Sequence, residues 1–307
     1  MPPLMALRAI THLSVLTSYL ILLWALTRRL QVGVVPATLA VCIGITSTRS
    51  LLMIQNPYLT DGFSFLMMSI MLVLFLVDRA GPFGFAAIVG VLAREDCLFG
   101  ALSYLGTRRR AAGAAVALAA LAVYAAPRWF EPHSENVQFL GFSWIRQPAY
   151  LAKVYFAFGF VWLVVMFALS ARRNTTARRL STYFVFALAG SMLSTLFAVD
   201  TTRMFLPVLP VAVVGCAVFL DRLRQNGGLL LAWLAVSVSN VGLALPNVLF
   251  PGAAETLTNL DDWYARLAGP IVVHQLAGIV LVWMSSRAGS SRHDLAVAPG
   301  NWSALRN

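Results

Sequence analysis

The sequence predicts an all-α fold, a polytopic bundle of transmembrane helices, and three observations carry that prediction. First, 59% of the 307 residues are apolar and 11% are charged, where a soluble domain carries about a quarter charged residues. So few charges cannot coat that much apolar surface. Second, apolar runs approaching the ~20 residues that cross a bilayer recur along the whole chain. Third, the cations are 22 arginines and a single lysine, Lys153, and the arginines fall in short clusters between those runs. Together these exclude a soluble enzyme, a secreted disulfide scaffold and a disordered chain.

In chain order the apolar segments lie at 9–27, 31–47, 62–77, 83–105, 111–126, 151–171, 181–199, 204–220, 228–247 and 269–286. That makes about 9–10 membrane segments. The first is too long for a signal-peptide core and runs into Arg28-Arg29 without a small-residue cleavage site. The third is short. The fourth is broken at its centre by Arg94, Glu95 and Asp96. The eighth carries Pro207 and Pro210, which bend or thin its start. Residues 1–287 read as a single helical domain, and 288–307 as a polar, loosely ordered cytoplasmic tail.

The net charge of +11 would suggest nucleic acid if it lay on one soluble face. Here the positive-inside rule accounts for it, and no nucleic-acid partner is expected. That rule puts Arg28-Arg29, Arg79, Arg108–Arg110, Arg172-Arg173 with Arg178-Arg179, Arg222 with Arg224, and Arg287 onward in the cytoplasm. The N-terminus is then extracytoplasmic and the C-terminus cytoplasmic, in the inner membrane of a bacterium. A full crossing by 83–105 would put Arg108–Arg110 on the wrong side. The segment is therefore expected to dip in and return as two arms, 83–93 and 97–105, or to be a strongly broken helix. This topology places Asp61, Glu131, Glu135, Asp200, Glu255, Asp261 and Asp262 outside, and only Asp78, Asp221 and Asp294 inside.

Several polar groups call for an explanation. Asp61, in Asn56-Pro57-Tyr58-Leu59-Thr60-Asp61, reads either as a helix-entry cap or as a ligand or base at the mouth of a cleft. Arg94-Glu95-Asp96 places three ionisable residues in an apolar stretch, each costing roughly 2.5–3.5 kcal/mol at bilayer depth. The cluster is either an internally paired break between short helices or an Arg94 site for a phosphate, oriented by Glu95 or Asp96. Asp200 and Arg203, three apart, form a salt-bridged corner or present Arg203 to an anionic group. The stretch 127–150, with Trp129, Phe130, Glu131, His133, Glu135, Phe142, Trp144 and Arg146, reads as an interfacial helix or a gating loop. Asp261-Asp262-Trp263-Tyr264 fits a helix N-terminus better than a metal motif. The histidines, His12, His133, His274 and His293, have no ligand spacing, and Cys42, Cys97 and Cys216 read as small buried hydrophobes. No metal site is read, and no glycine-rich phosphate loop, serine elbow or CxxC pair. The sequons at Asn174 and Asn301 fall on the cytoplasmic side and are accidents of sequence.

The order of these motifs resembles a known family. Arg8-Ala9-Ile10 opens a span closed by Arg28-Arg29-Leu30. Asn-Pro-Tyr-Leu-Thr-Asp at 56–61 leads into a helix, and Leu92-Ala93-Arg94-Glu95-Asp96 opens a short arm. Asp200-Thr201-Thr202-Arg203 precedes Phe205-Leu206-Pro207-Val208-Leu209-Pro210. Over 8–225 this resembles the membrane core of GT-C glycosyltransferases, which take sugars from polyprenyl-phosphate donors on the outer side of the membrane. The resemblance implies Asp61, Glu95 and Asp96 near the substrate cleft as catalytic acids. It implies Arg94, Arg203 and Asp200 near the substrate phosphate, with a divalent metal as an optional cofactor. The family's acidic first outer loop has no counterpart, so the chain is expected to be a truncated remnant or a divergent relative. Two other classes fit the same features: a small transporter or lipid flippase, and a non-catalytic membrane subunit with a membrane-protein partner.

Overall fold

A computed structural model of the chain describes residues 3–55, 60–130, 175–195 and 203–223, together with Leu276 and Val280. Among the described residues every regular element is helical. In order these are α1 (Pro3–Trp24), continued by a π turn (Ala25–Arg29), α2 (Val34–Ile45), α3 (Thr48–Gln55), α4 (Asp61–Leu76), α5 (Ala80–Ala93) and α6 (Cys97–Leu102). A 3-10 turn (Ser103–Gly106), α7 (Arg110–Phe130), α8 (Thr175–Thr195), a second 3-10 turn (Arg203–Val208) and α9 (Leu209–Leu223) follow. Two stretches, Met5–Arg29 and Met204–Asp221, are long and apolar enough to cross a membrane. The other apolar stretches, Val34–Ile45, Asp61–Leu76, Ala80–Ala93, Cys97–Gly106 and Arg110–Ala126, are 10–17 residues long, below the ~20 residues a full crossing takes.

Side-chain contacts fix which way each helix runs. Gly62 packs on Thr11, and the rings of Tyr19 and Phe65 meet edge-on at 5.1 Å, so α1 and α4 are parallel. The chain returns between them through α2 and α3, breaking at Thr46-Ser47 where the predicted apolar segment 31–47 ends; the sequence had placed no helix at 48–55. The break is stabilised internally: Ser47 and Ser50 both donate to the Gly44 carbonyl at 2.7 Å, and Ser50 also bonds the Tyr19 hydroxyl. Gly33 N donates to Asp221 Oδ1 at 3.0 Å, while Gly44 lies against Val213, so α9 runs antiparallel to α2. Pro207 sits inside the second 3-10 turn, and α-helix begins only at Leu209. A proline cannot supply the amide an α-turn needs there.

The predicted fold-back at 83–105 is present as an antiparallel hairpin of α5 and α6. Gly90 packs on Cys97 near the turn, and the rings of Phe83 and Tyr104 meet at 4.7 Å near the base. Helix α7 then starts beside that base, with Gly113 against the Tyr104 carbonyl and Gly84 against Val116. It continues through Phe130, into the start of the 127–150 stretch that reads as an interfacial helix or a gating loop. The bundle therefore has two chemically distinct ends. One gathers Arg28-Arg29, Asp78, Arg79, Arg109, Arg179 and Asp221; the other holds Asp61, Arg94 and Asp96. Phe65, Met68, Met71, Leu72 and Phe75 of α4 form the centre of the core between them. The segments at 151–171 and 228–247, nearly all of 269–286, residues 131–150 and the 288–307 tail lie outside the described residues.

Candidate functional site

The buried charges lie where the hairpin turns over against the start of α4. Helix α5 ends because Arg94 adopts an extended backbone (φ −164°, ψ 137°), although its amide still closes the last turn onto Gly90 O at 2.8 Å. A tight turn follows, with Cys97 N on Arg94 O at 3.2 Å and Leu98 N on Glu95 O at 2.9 Å, and α6 leaves in the opposite direction. The reversal turns the Arg94 side chain inward. Its Nη1 is ion-paired with Asp61 Oδ1, and its Nε lies 2.7 Å from Asp96 Oδ2. All three are buried, with side-chain exposures of 6%, 1% and 1% for Arg94, Asp61 and Asp96.

One guanidinium thus serves two carboxylates. Its Nη1 donates to Asp61, and the other side of the planar guanidinium, at Nε, lies in ion-pair range of Asp96. Asp61 is also the first residue of α4, where the helix's positive end favours an anion. Asp61 thus stands at the helix entry, as one of its two readings had it, and is in addition paired with Arg94, which neither reading foresaw. Thr60 precedes the helix without a side-chain capping bond, and its carbonyl accepts from Ser64 N at 2.9 Å and Ser64 Oγ at 3.0 Å. The Cys97 thiol faces the Ser64 carbonyl at 3.9 Å. Glu95, between Arg94 and Asp96, is exposed.

Four of the six residues implicated by the sequence come together here: Asp61, Arg94, Glu95 and Asp96. Asp200 lies outside the described residues. Arg203 opens the second 3-10 turn, and only its backbone is described. Among the described residues no group of three His, Cys, Asp or Glu side chains could hold a metal ion.

A second charged centre, at the opposite end, was missed in the sequence. Asp78 follows α4 in a left-handed conformation (φ 59°). Its Oδ1 accepts from the Tyr104 hydroxyl at 2.9 Å, and its Oδ2 lies 3.3 Å from Arg179 Nη2 and 3.6 Å from Arg109 Nε. Arg179 also donates to the Leu76 carbonyl at 2.9 Å, covering the end of α4. The available signal was a lone carboxylate in a part of the chain otherwise rich in arginine. No protein-family model, no curated protein and no solved structure matches the chain.

Proposed function

We propose that this chain is a multi-pass integral membrane protein of the bacterial inner membrane, built on the GT-C plan, with the Asp61–Arg94–Asp96 end facing the extracytoplasmic side. Its activity is transfer of a sugar from a polyprenyl-phosphate donor. The membrane part of this reading rests on α1. Ile10, Leu13, Leu16, Leu20 and Trp24 recur every three or four residues and are all well exposed, an outward apolar stripe with no protein covering it among the described residues. Arg8 and Arg28 bracket a stretch free of Arg, Lys, Asp and Glu, with a length of about 30 Å, that of the hydrocarbon core. Trp24, with Arg29 over its ring at 5.2 Å, suits the interface at the arginine-rich end.

The observation that carries the sugar-transfer reading is the acid–arginine cluster at the hairpin turn. Helix α4 sets it about 25 Å from Asp78, so it lies just inside or at the far border of the bilayer. Asp61 and Asp96 are buried against Arg94, whereas Glu95 is exposed to the surface at that end. Glu95 accepts the proton of the acceptor hydroxyl while that oxygen displaces the lipid phosphate at the anomeric carbon. Arg203, which the resemblance assigns to the phosphate, stabilises the departing anion. Asp61 and Asp96 already converge on a cation, and no step is routed through a metal.

Burial of Arg94 between two carboxylates favours one other reading, a non-catalytic membrane subunit in which the cluster clasps the hairpin to α4. Sugar transfer in membranes containing the protein and a polyprenyl-phosphate sugar separates the two. The enzyme reading expects the wild type to be active and Glu95→Gln, which keeps Asp61, Arg94 and Asp96, to lose about 100-fold or more. Full activity of Glu95→Gln removes the assigned base, and an inactive wild type leaves the clasp. Reporter fusions after residues 30 and 110 must both read cytoplasmic; an extracytoplasmic signal at 110 refutes the fold-back topology.

A further inference from the structure

The arginine-rich end carries an arrangement that charge balance alone does not require. Helices α5, α7 and α8 all begin there, and none has an acid in its first turn. Helix starts are the positive ends of their dipoles and favour anions. Here they carry arginine instead: Arg79 before α5, Arg109 and Arg110 at the start of α7, and Arg178 and Arg179 near the start of α8. Asp78 contacts Arg109 and Arg179: the two guanidiniums converge on the same oxygen at 3.6 and 3.3 Å while Tyr104 takes the other. Arg109 and Arg179 remain 59% and 40% exposed, and Arg79, Arg108, Arg110 and Arg178 are exposed around them.

We infer that this fork is a binding site for the head group of an anionic phospholipid. Its phosphate sits against Arg109 and Arg179 beside Asp78, adding an anion where three positive helix ends and half-exposed arginines meet. Guanidinium pairs present planar donors to phosphate oxygens, and basic pockets between membrane helices on the cytoplasmic side are suited to such head groups. The neighbouring surface selects a lipid over a soluble anion. Gly84 packs on Val116 where α5 and α7 run side by side, and just beyond that contact Phe85 and Leu118 are 72% and 68% exposed. They lie about 9–14 Å along their helices from the arginines, within reach of the first carbons of an acyl chain whose phosphate is on the fork.

The inference rests on the membrane reading above but not on sugar transfer. The test is native mass spectrometry of the full chain purified in a neutral detergent and titrated with phosphatidylglycerol or with phosphatidylcholine of the same acyl chains. Phosphatidylglycerol should bind more tightly, by about fivefold for each arginine engaged. Arg109→Gln with Arg179→Gln should remove that preference, Arg109→Lys with Arg179→Lys should keep most of it, and Arg28→Gln with Arg29→Gln should leave it intact. Asp78→Asn, which removes the competing carboxylate, should strengthen binding; a purely structural cluster would show no gain. Equal binding of the two lipids, or equal loss in the Arg28/Arg29 control, overturns the site. Displacement of the lipid by an equal concentration of glycerophosphoglycerol would assign the fork to a soluble anion and overturn the lipid assignment. A chain that remains in the aqueous fraction without detergent contradicts the membrane reading itself, a separate result.

Discussion

Replacing Arg94 with methionine should be among the most damaging single substitutions in the chain, and the size of the effect follows from the charge count of its cluster. The side chain is 6% exposed and its partners Asp61 and Asp96 are each 1% exposed. Without the guanidinium, two buried carboxylates face each other with no cation. Breaking a buried pair on one side costs about 3–5 kcal/mol, because the remaining charge is left uncompensated. At about 2–4 °C per kcal/mol for a large domain, that is a fall in Tm of order ten degrees. Removing one carboxylate is different, since it leaves one guanidinium on one carboxylate and a neutral cluster. Asp96→Asn should therefore cost less than Arg94→Met. Asp61→Asn should lie between them, because Asp61 also neutralises the positive end of α4, a contribution of about 0.3–2 kcal/mol. The assay is thermal unfolding of the detergent-solubilised chain, followed by the recovery of its monodisperse peak. The triple variant Arg94→Met, Asp61→Leu, Asp96→Leu should regain most of the stability lost by Arg94→Met, since a buried ion cluster can be replaced by apolar packing with little net loss. An Arg94→Met protein within two or three degrees of wild type, or one more stable than Asp96→Asn, would refute this account.

Other consequences can be checked by simpler means. A Cβ on Gly113 would stand 2.7 Å from the Tyr104 carbonyl oxygen, a backbone atom that cannot step aside; Gly113→Ala should lower stability by about 1–3 kcal/mol. Gly81, in the first turn of α5, has nothing within 4 Å of that position, so Gly81→Ala should raise stability by up to about 1 kcal/mol. Cys97 and Cys216 are buried while Cys42 is exposed on α2. If the proposed membrane placement holds, exposed Cys42 faces lipid, and a charged maleimide should label none of the three in native membranes; rapid labelling of Cys42 would place that face in water.

How far the sequence foretold this arrangement depended on the range of the interaction. The fold-back at 94–96 was legible because three ionisable residues inside an apolar stretch, followed by Arg108–Arg110, cannot be reconciled with a straight crossing. The grouping of arginines at one end was legible for the same reason. The partner of Arg94 was not: Asp61 lies 33 residues away, and no local periodicity links a helix start to a later turn. The break at Thr46-Ser47 was legible as the end of an apolar run, since Thr46-Ser47-Thr48-Arg49-Ser50 is polar; helix α3 beyond it was not, because the turn into it is held by buried serine hydroxyls bonded to Gly44 and Tyr19. The GT-C resemblance rests on short motifs; of the residues it singles out, Asp61 and Asp96 both contact Arg94.

The two charged centres impose opposite electrostatic demands, and the contrast bears on what each can do. At the Asp61 end two carboxylates share one arginine under nearly complete burial, so the cluster is closed and its excess charge is negative. At the Asp78 end one carboxylate is shared by two arginines that remain half exposed, so that cluster is open and its excess charge is positive. Both centres tie the same hairpin to α4, one at its turn and the other at its base through Tyr104. Loss of the closed cluster should therefore be felt as instability, whereas loss of an arginine from the open one should be felt as lost affinity for an anion. Comparing Arg94→Met with Arg179→Gln in the same preparation tests that division. Arg179→Gln should melt within a few degrees of wild type, since a partly exposed pair contributes about 0–1 kcal/mol, while its binding of phosphatidylglycerol falls about fivefold. If Arg179→Gln instead unfolds as readily as Arg94→Met, the open cluster is a second clasp and not a binding site.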